Sequence, residues 1–211
     1  MANGWTDWTK YQWGIDVSHY RPNIDWKLLK DADIGFVIAK ASEGTDLQDD
    51  TFADHCQRAY DIDVPFMGYH YMDPVYYSIY KPAVTPSAAD AQLQNFLKAL
   101  RNKRVYATIV DHERWWESYD QWNQARRGEI PWSAVKACDP YWVSESSHEF
   151  SNRVVKELGL PHIIYSSKSF IDAWAPKTRD WVDNFMQYSA YYPYTTTVVA
   201  VNSWSEFFDK Y

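Results

Sequence analysis

The chain has 211 residues, which is long enough for one domain with a substantial hydrophobic core. Aromatic residues make up 18% of it, a content that excludes an intrinsically disordered chain. The formal net charge is −7, with 21 Lys and Arg against 28 Asp and Glu. This acidity makes nucleic acid an unexpected partner, because such proteins hold phosphates with clustered cations, and it disfavours docking on anionic membranes.

Cysteines and the N-terminus add further expectations. Cys56 and Cys138 are too few for a disulfide framework; they could pair with each other, but buried free thiols are favoured. The sequence has no Cys/His spacing typical of a metal site, so no metal or other cofactor is expected. No secretory signal is recognisable, and no stretch approaches the ~20 apolar residues of a membrane span. We therefore expect no membrane insertion, and a chain that is cytoplasmic, exported by an unusual route or cut from a longer precursor.

In chain order, short apolar runs alternate with amphipathic stretches, a pattern typical of βα units. Strands are predicted at 14–17, 35–41, 64–71, 105–110, 162–165 and 185–192, with a short one at 198–201. Helices are predicted at 24–30, 50–60, 87–100, 147–158 and 203–211. Ser87 is expected to cap the third helix and Gly159 to end the fourth. Gly14 does not begin a G-x-G-x-x-G motif, so a parallel barrel is favoured over a dinucleotide-binding sheet.

Acidic residues fall where the predicted strands end. Asp16 ends the first strand, Glu43 lies just past the second, and Asp111 and Glu113 end the fourth. The carboxyl ends of all strands in a parallel barrel meet at one mouth, where such enzymes keep their active sites. These acids are therefore expected to converge.

The D-x-E pair carries the most specific chemistry. Asp111 and Glu113 are two residues apart, so on an extended segment both point to the same face. Two close carboxylates raise the pKa of one of them and keep a proton available near neutrality, as glycosidic bond cleavage requires. A solvated loop is the alternative interpretation of this pair. His112 should point the opposite way, and His70 and His112 are expected to be hydrogen-bonded structural residues.

Aromatic side chains near strand ends suggest a sugar-binding surface, because aromatic rings pack on the C–H faces of sugars. The expected substrate-binding aromatics are Tyr69, Tyr71, Trp115, Trp116, Tyr165 and Tyr191. The segment 114–146 has too many aromatic residues for a solvated loop and is expected to lie on the catalytic face. Its rings either form a satellite core or also contact substrate, and at least one of Trp115 and Trp116 is expected to face the cleft.

Six sequence blocks, in this order, resemble the family 25 glycoside hydrolases: GIDVSHYRPNIDW, FVIAKASEGTDLQDDTF, VPFMGYHY, SAADAQLQNFL, ATIVDHE and IIYSS. The resemblance implies an α/β fold, an irregular (β/α) TIM-like barrel with missing late helices. It implies hydrolysis of the β-1,4 bond between N-acetylmuramic acid and N-acetylglucosamine in bacterial peptidoglycan.

The resemblance also implies residue roles. Glu113 matches the general acid, Asp111 its D-x-E partner, and Asp16 the acid of the first strand. Lys40 and Glu43 match a K-x-x-E that lines the cleft, and Tyr165 matches an aromatic after the fifth strand. Whether Asp111 is a direct nucleophile or supports attack by the substrate's acetamido group stays open.

Two departures from the family pattern accompany the resemblance. The segment 114–146 is longer than usual, and SWSEFFDKY stands about where the family's W-Q-Y strand begins, so a fourth acid is expected to be missing. Three explanations stay open: the sequence is truncated, the closing strands come from elsewhere, or the barrel is unusually open. We expect one monomeric domain over 1–211, made in a host cytoplasm without a signal peptide and acting at the bacterial wall as a phage lysozyme. The alternatives are a catalytically silent glycan-binding or virion-structural module and a chitinase, whose D-x-x-D-x-D-x-E signature is not met.

Overall fold

The computed structural model describes residues 14–74 and 86–189. Its strands form one sheet in the order β1-β2-β4-β5-β6-β7, and each of these six is parallel to its neighbours. The short β3 pairs antiparallel with β2. Spatial order follows chain order, as it does in the wall of a parallel barrel. The strands are β1 (Gly14–Val17), β2 (Phe36–Glu43), β3 (Leu47–Gln48), β4 (Phe66–Tyr71), β5 (Ala107–Asp111), β6 (His162–Ser166) and β7 (Met186–Ser189).

Helices connect most of these strands. They are α1 (Trp26–Asp31), α2 (Phe52–Asp61), α3 (Pro86–Leu100), α4 (Tyr119–Arg126), α5 (Pro140–Leu158) and α6 (Lys168–Trp174). Side-chain oxygens of Asp25, Ser118, Asp139 and Ser167 accept backbone N–H groups at the starts of α1, α4, α5 and α6. Gly159, at φ 62°, ends α5 in the left-handed conformation, as predicted.

The predicted strands and long helices are present, with several boundaries corrected. Helix α5 begins at Pro140 rather than Ser147, because Asp139 caps it and Pro140 suits the first turn. Ser87 lies inside α3 instead of capping it, since that helix begins at Pro86. Helices α4 and α6 were not predicted. The strand and helix expected at 198–201 and 203–211 lie outside the described residues.

The two faces of the sheet have different roles. Along β4, Phe66, Gly68 and His70 are buried, while the alternating Tyr69 and Tyr71 are only partly covered. The buried face packs against α3 and α5, where the ring of His70 stacks 4.6 Å from that of Phe150. The main hydrophobic core therefore lies between sheet and helices, and the opposite, concave face is free to carry a site.

Three histidines are buried in this core and hydrogen-bonded to neutral side chains. His70 pairs with Ser42 and Gln92, His112 with Ser147 and Thr178, and His162 with Thr108 and Ser151, at 2.7–3.1 Å. Burial lowers their pKa values to about 4, 3 and 3, respectively, so all are neutral at pH 7. The predicted structural role of His70 and His112 is confirmed.

Two further observations concern the described residues. Cys56 and Cys138 are buried and take part in no disulfide between described residues, as predicted. Among these residues, no helix combines the length and apolarity needed to cross a membrane.

Candidate active site

A row of side chains crosses the concave face where the strands end. Backbone register pairs Glu43 with Tyr71, Tyr71 with Asp111, Asp111 with Tyr165, and Tyr165 with Tyr188. Partners in a parallel sheet point to the same face, so these five residues from five strands stand side by side. The row brings together four predicted site residues, Glu43, Tyr71, Asp111 and Tyr165.

A β-bulge places Lys40 and Glu43 on this face together. Residues three apart in a regular strand point to opposite faces. The pairing of β2 with β4 shifts by one residue between Lys40 and Ser42, which turns Glu43 back to the concave side. The Lys40 ammonium lies 2.5 Å from Glu43 Oε2. The K-x-x-E spacing therefore forms a fixed ion pair in the cleft.

The predicted acids of β1 and β5 meet at a small cavity in the concave face. Asp16 and Asp111 both line it, together with Ile38, Tyr69, Ile109, Tyr165 and Tyr188. The predicted Tyr69 and Tyr165 are thus beside the acids. Tyr188, an aromatic residue near a predicted strand end, completes this wall from β7.

Electrostatics couple the three acids. Burial, followed by the negative charges of Glu113 and Asp16, raises the pKa of Asp111 well above its ordinary range, and its Oδ1 is buried without a hydrogen bond. Burial and the charge of Glu113 raise the pKa of Asp16 to about 6. Partial desolvation in the cleft also raises the pKa of Glu113, against the opposing effect of Lys40. The group therefore retains a proton to higher pH than isolated carboxyls would.

Glu113 lies two residues beyond the end of β5 and is exposed at the mouth. Between the two acids, His112 points into the core, where it bonds Ser147 and Thr178. The chain thus keeps strand-like alternation past Asp111, as predicted for the D-x-E pair.

The two tryptophans after Glu113 pack within the protein. Trp116 is 6% exposed and stacks on Trp122 at 4.6 Å, whereas Trp115 stacks on Trp174 at 4.2 Å. Neither belongs to the cavity that Asp16 and Asp111 line. The packing of both rings therefore matches the alternative in which the aromatic residues of 114–146 form a satellite core.

Tyr119 instead reaches the cleft from the 114–146 segment. Its hydroxyl donates a hydrogen bond to Glu43 Oε1. Sequence reasoning missed this contact, although Ser118, a good helix cap, could have placed Tyr119 at the start of a helix. Tyr191 lies outside the described residues. Within 14–74 and 86–189, no group of His, Cys, Asp and Glu side chains is arranged to hold a metal ion.

The sequence profile described as Glycosyl hydrolases family 25 matches residues 15–207. The chain belongs to glycosyl hydrolase family 25. Lysozyme M1 of Streptomyces globisporus is 39% identical over 61 residues, which are 29% of this chain and 21% of that lysozyme. The matched part is therefore only about a fifth of that relative's length.

Solved structures share the fold at low sequence identity. The lysozyme from Streptomyces coelicolor has a TM-score of 0.65 at 21% identity, covering 90% of this chain and 79% of that one. The muramidase from Trichobolus zukalii has a TM-score of 0.62 at 19% identity, covering 88% and 80%. The CTP1L endolysin has a TM-score of 0.62 at 19% identity, covering 87% of this chain and 54% of that one. The predicted α/β, TIM-like barrel class is confirmed.

Proposed function

We propose that this family 25 member is a lysozyme that hydrolyses the β-1,4 bond between N-acetylmuramic acid and N-acetylglucosamine in peptidoglycan. The observation that carries the proposal is the meeting of Asp16, Asp111 and Glu113 at one mouth, with the pKa of each raised. A carboxyl that keeps its proton beside a second carboxyl supplies the acid and the anionic partner of glycoside hydrolysis.

Roles within the trio follow from exposure. Glu113 is exposed at the mouth, where a leaving-group oxygen can reach its proton, and we assign it as general acid. Asp111 lies deeper, and when the proton shared by the pair resides on Glu113 we assign ionised Asp111 to the carbon at which positive charge develops, either as nucleophile or as support for the acetamido group. Asp16 faces the same cavity and adds negative charge there.

Sugar contacts are proposed along the concave face. Tyr69, Tyr71 and Tyr165 offer partly covered rings beside the acids, and Lys40 with Glu43 offers charged hydrogen-bonding groups at one end of the row. Trp115 and Trp116 would act indirectly, by shaping the segment that carries Tyr119. Tyr191 stays a predicted contact.

The site of action follows from the substrate. We propose that the protein acts at the bacterial cell wall, as one monomeric domain over 1–211, in phage lysis or in a virion. Its partner would be peptidoglycan alone, without nucleic acid or membrane insertion.

Clearing of bacterial walls, measured by turbidity with chitin hydrolysis in parallel, tests the proposal. Glu113→Gln cannot donate a proton and is expected to lose about 10²–10⁴-fold in rate. Exposed Glu157 on α5 provides the matched control, and Glu157→Gln should clear walls like the unchanged protein. New reducing ends should be N-acetylmuramic acid by mass spectrometry.

Two results would contradict the proposal. Binding of walls without release of fragments would favour the silent glycan-binding module. Comparable hydrolysis of chitin would favour a chitinase.

A further inference from the structure

The 114–138 stretch, here called the insertion, is a closed unit fastened at its base. Trp116 forms an antiparallel bridge with Ala137, the amide of Glu117 donates to Lys136 O at 2.9 Å, and the amide of Cys138 donates to Trp115 O at 2.7 Å. Trp116, Ala125 and Val135 form its own small core. The insertion therefore holds α4 in a defined place rather than as a loose loop.

Arg114 fastens the insertion to the loop after β4. Its guanidinium is 4% exposed, forms an ion pair with Asp73 at 2.8 Å and donates to the backbone oxygens of Trp116 and Glu117. The same guanidinium lies 4.4 Å from the ring centre of Tyr119. This stacking fixes the ring of Tyr119 on a buried support.

The hydroxyl of Tyr119 supplies the second of two side-chain hydrogen bonds to the Glu43 carboxylate. One carboxylate oxygen of Glu43 accepts from Tyr119 and the other from Lys40. Lys40 is 8% exposed and lies 5.1 Å over the ring of Tyr71, the neighbour of Asp111 in the row. A continuous set of contacts thus runs from Tyr119 through Glu43 and Lys40 toward the acids.

We propose that Tyr119 is a positioning residue, which fixes Glu43 and, through it, holds the Lys40 ammonium at its place beside the catalytic acids. The inference rests on the proposed function for its kinetic consequence but not for its electrostatic one. It assigns the insertion a direct part in the cleft.

The charge distribution agrees with this arrangement. Burial alone would raise the pKa of Glu43, but hydrogen bonds from Lys40 and Tyr119 and the positive charges of Lys40 and Arg114 lower it. Lys40, in turn, lowers the pKa values of Asp111 and Glu113. Loss of the Tyr119 hydroxyl would loosen Glu43 and release Lys40 toward the acids, whose protons it disfavours.

Tyr119→Phe is the variant that tests the proposal, since it keeps the ring on Arg114 and removes only the hydroxyl. In ¹³C NMR titrations of side-chain carboxyls, assigned with Glu43→Gln, we expect the pKa of Glu43 to rise. This measurement requires no activity, so it remains informative if the protein cleaves no glycan. An unchanged Glu43 titration would overturn the proposal.

Kinetics provide the second readout. We expect Tyr119→Phe to lower kcat about tenfold with KM within about twofold, and to move the basic limb of the pH–rate profile to lower pH. Tyr141→Phe is the control, because Tyr141 is an exposed tyrosine of the next helix, 49% accessible, and should behave like the unchanged protein.

A double-mutant cycle separates positioning from a merely structural role. If Tyr119 acts through Glu43, Tyr119→Phe should cost little in a Glu43→Gln background. Tryptic cleavage at Arg126 or Arg127 should stay as slow as in the unchanged protein. Additive losses, together with faster cleavage there and an unmoved pH profile, would show that Tyr119 only anchors the insertion.

Discussion

Asp16 is an acid that the folded protein keeps protonated to higher pH than an unfolded chain would. Its pKa is about 6 against an ordinary 3.8, because burial and Glu113 disfavour its charge. Between these values the native state binds more protons than the unfolded one, so stability is lost as pH rises through this window. Above pH 6 the ionised Asp16 destabilises the native state by its full amount.

Asp16→Asn should remove the destabilisation that the Asp16 charge causes. We expect a higher Tm at pH 7.5 and no difference at pH 3.5. Because Asp16 is accessible to solvent, the gain should be about 1 kcal/mol, less than the full shift would imply. We also expect Asp16→Asn to lower wall-clearing activity. Exposed Asp46→Asn is the control, and an equal gain at both pH values would contradict the electrostatic explanation.

Asp111→Asn changes the acid whose pKa the other two raise. The repulsion between Asp111 and Glu113 belongs to the pair, so the upper of the pair's two pKa values should be lost and Glu113 should titrate alone at lower pH. We expect strongly reduced activity and a basic limb of the pH–rate profile that moves to lower pH in what remains. An unmoved profile in measurable residual activity would mean that the two acids are not coupled.

At the scale of elements, the insertion folds around its own small core. Trp116 is almost fully buried there, against Trp122 and beside Trp115. Trp116→Ala should therefore cost about 3 kcal/mol, within the usual range for a buried aromatic. Hydrogen exchange should quicken across 114–138, while β4 and β5 keep their protection.

Trp132→Ala provides the comparison for that experiment. Trp132 lies in the same insertion but is 52% exposed, so its removal should change neither exchange nor Tm appreciably. If Trp116→Ala accelerated exchange equally in β4 and β5, the insertion would not be a separately unfolding unit.

The parallel strands and the meeting of Asp16 with Asp111 could be predicted, because they follow from alternation along strands and from the common mouth of a parallel barrel. The Lys40–Glu43 pair needed the family resemblance, since regular strand geometry would separate the two and only the bulge reunites them. Tyr119 could not be predicted. Its contact with Glu43 depends on how a whole insertion folds against a distant loop, which local patterns do not encode.

At the scale of the whole molecule, buried histidines control the response to acid. His70, His112 and His162 have pKa values of about 4, 3 and 3, below the ordinary 6.5 of an unfolded chain. Below pH 6.5 these histidines therefore bind more protons in the unfolded state than in the native state. The free energy of unfolding consequently falls as pH falls toward 4. The carboxyls with raised pKa values have the opposite effect, because they increase the free energy of unfolding as pH falls over part of the same range.

Comparing a histidine variant with the unchanged protein in urea unfolding between pH 4.5 and 6 isolates the contribution of that histidine. His162→Gln should reduce the dependence of unfolding free energy on pH by about 1.4 kcal/mol per pH unit, whatever its effect on absolute stability. His148→Gln is the control, because His148 is partly exposed on α5. An equal pH slope in His162→Gln and the unchanged protein would contradict the burial of a neutral His162.

The row from Glu43 to Tyr188 has an evolutionary consequence. Each of its five members belongs to a different strand, and each strand is held in the sheet by backbone hydrogen bonds that do not depend on the side chain. A mutation can therefore exchange one member and leave the spacing of the others intact. Selection can thus change one side chain of the proposed site at a time, so that preference can diverge while the scaffold persists.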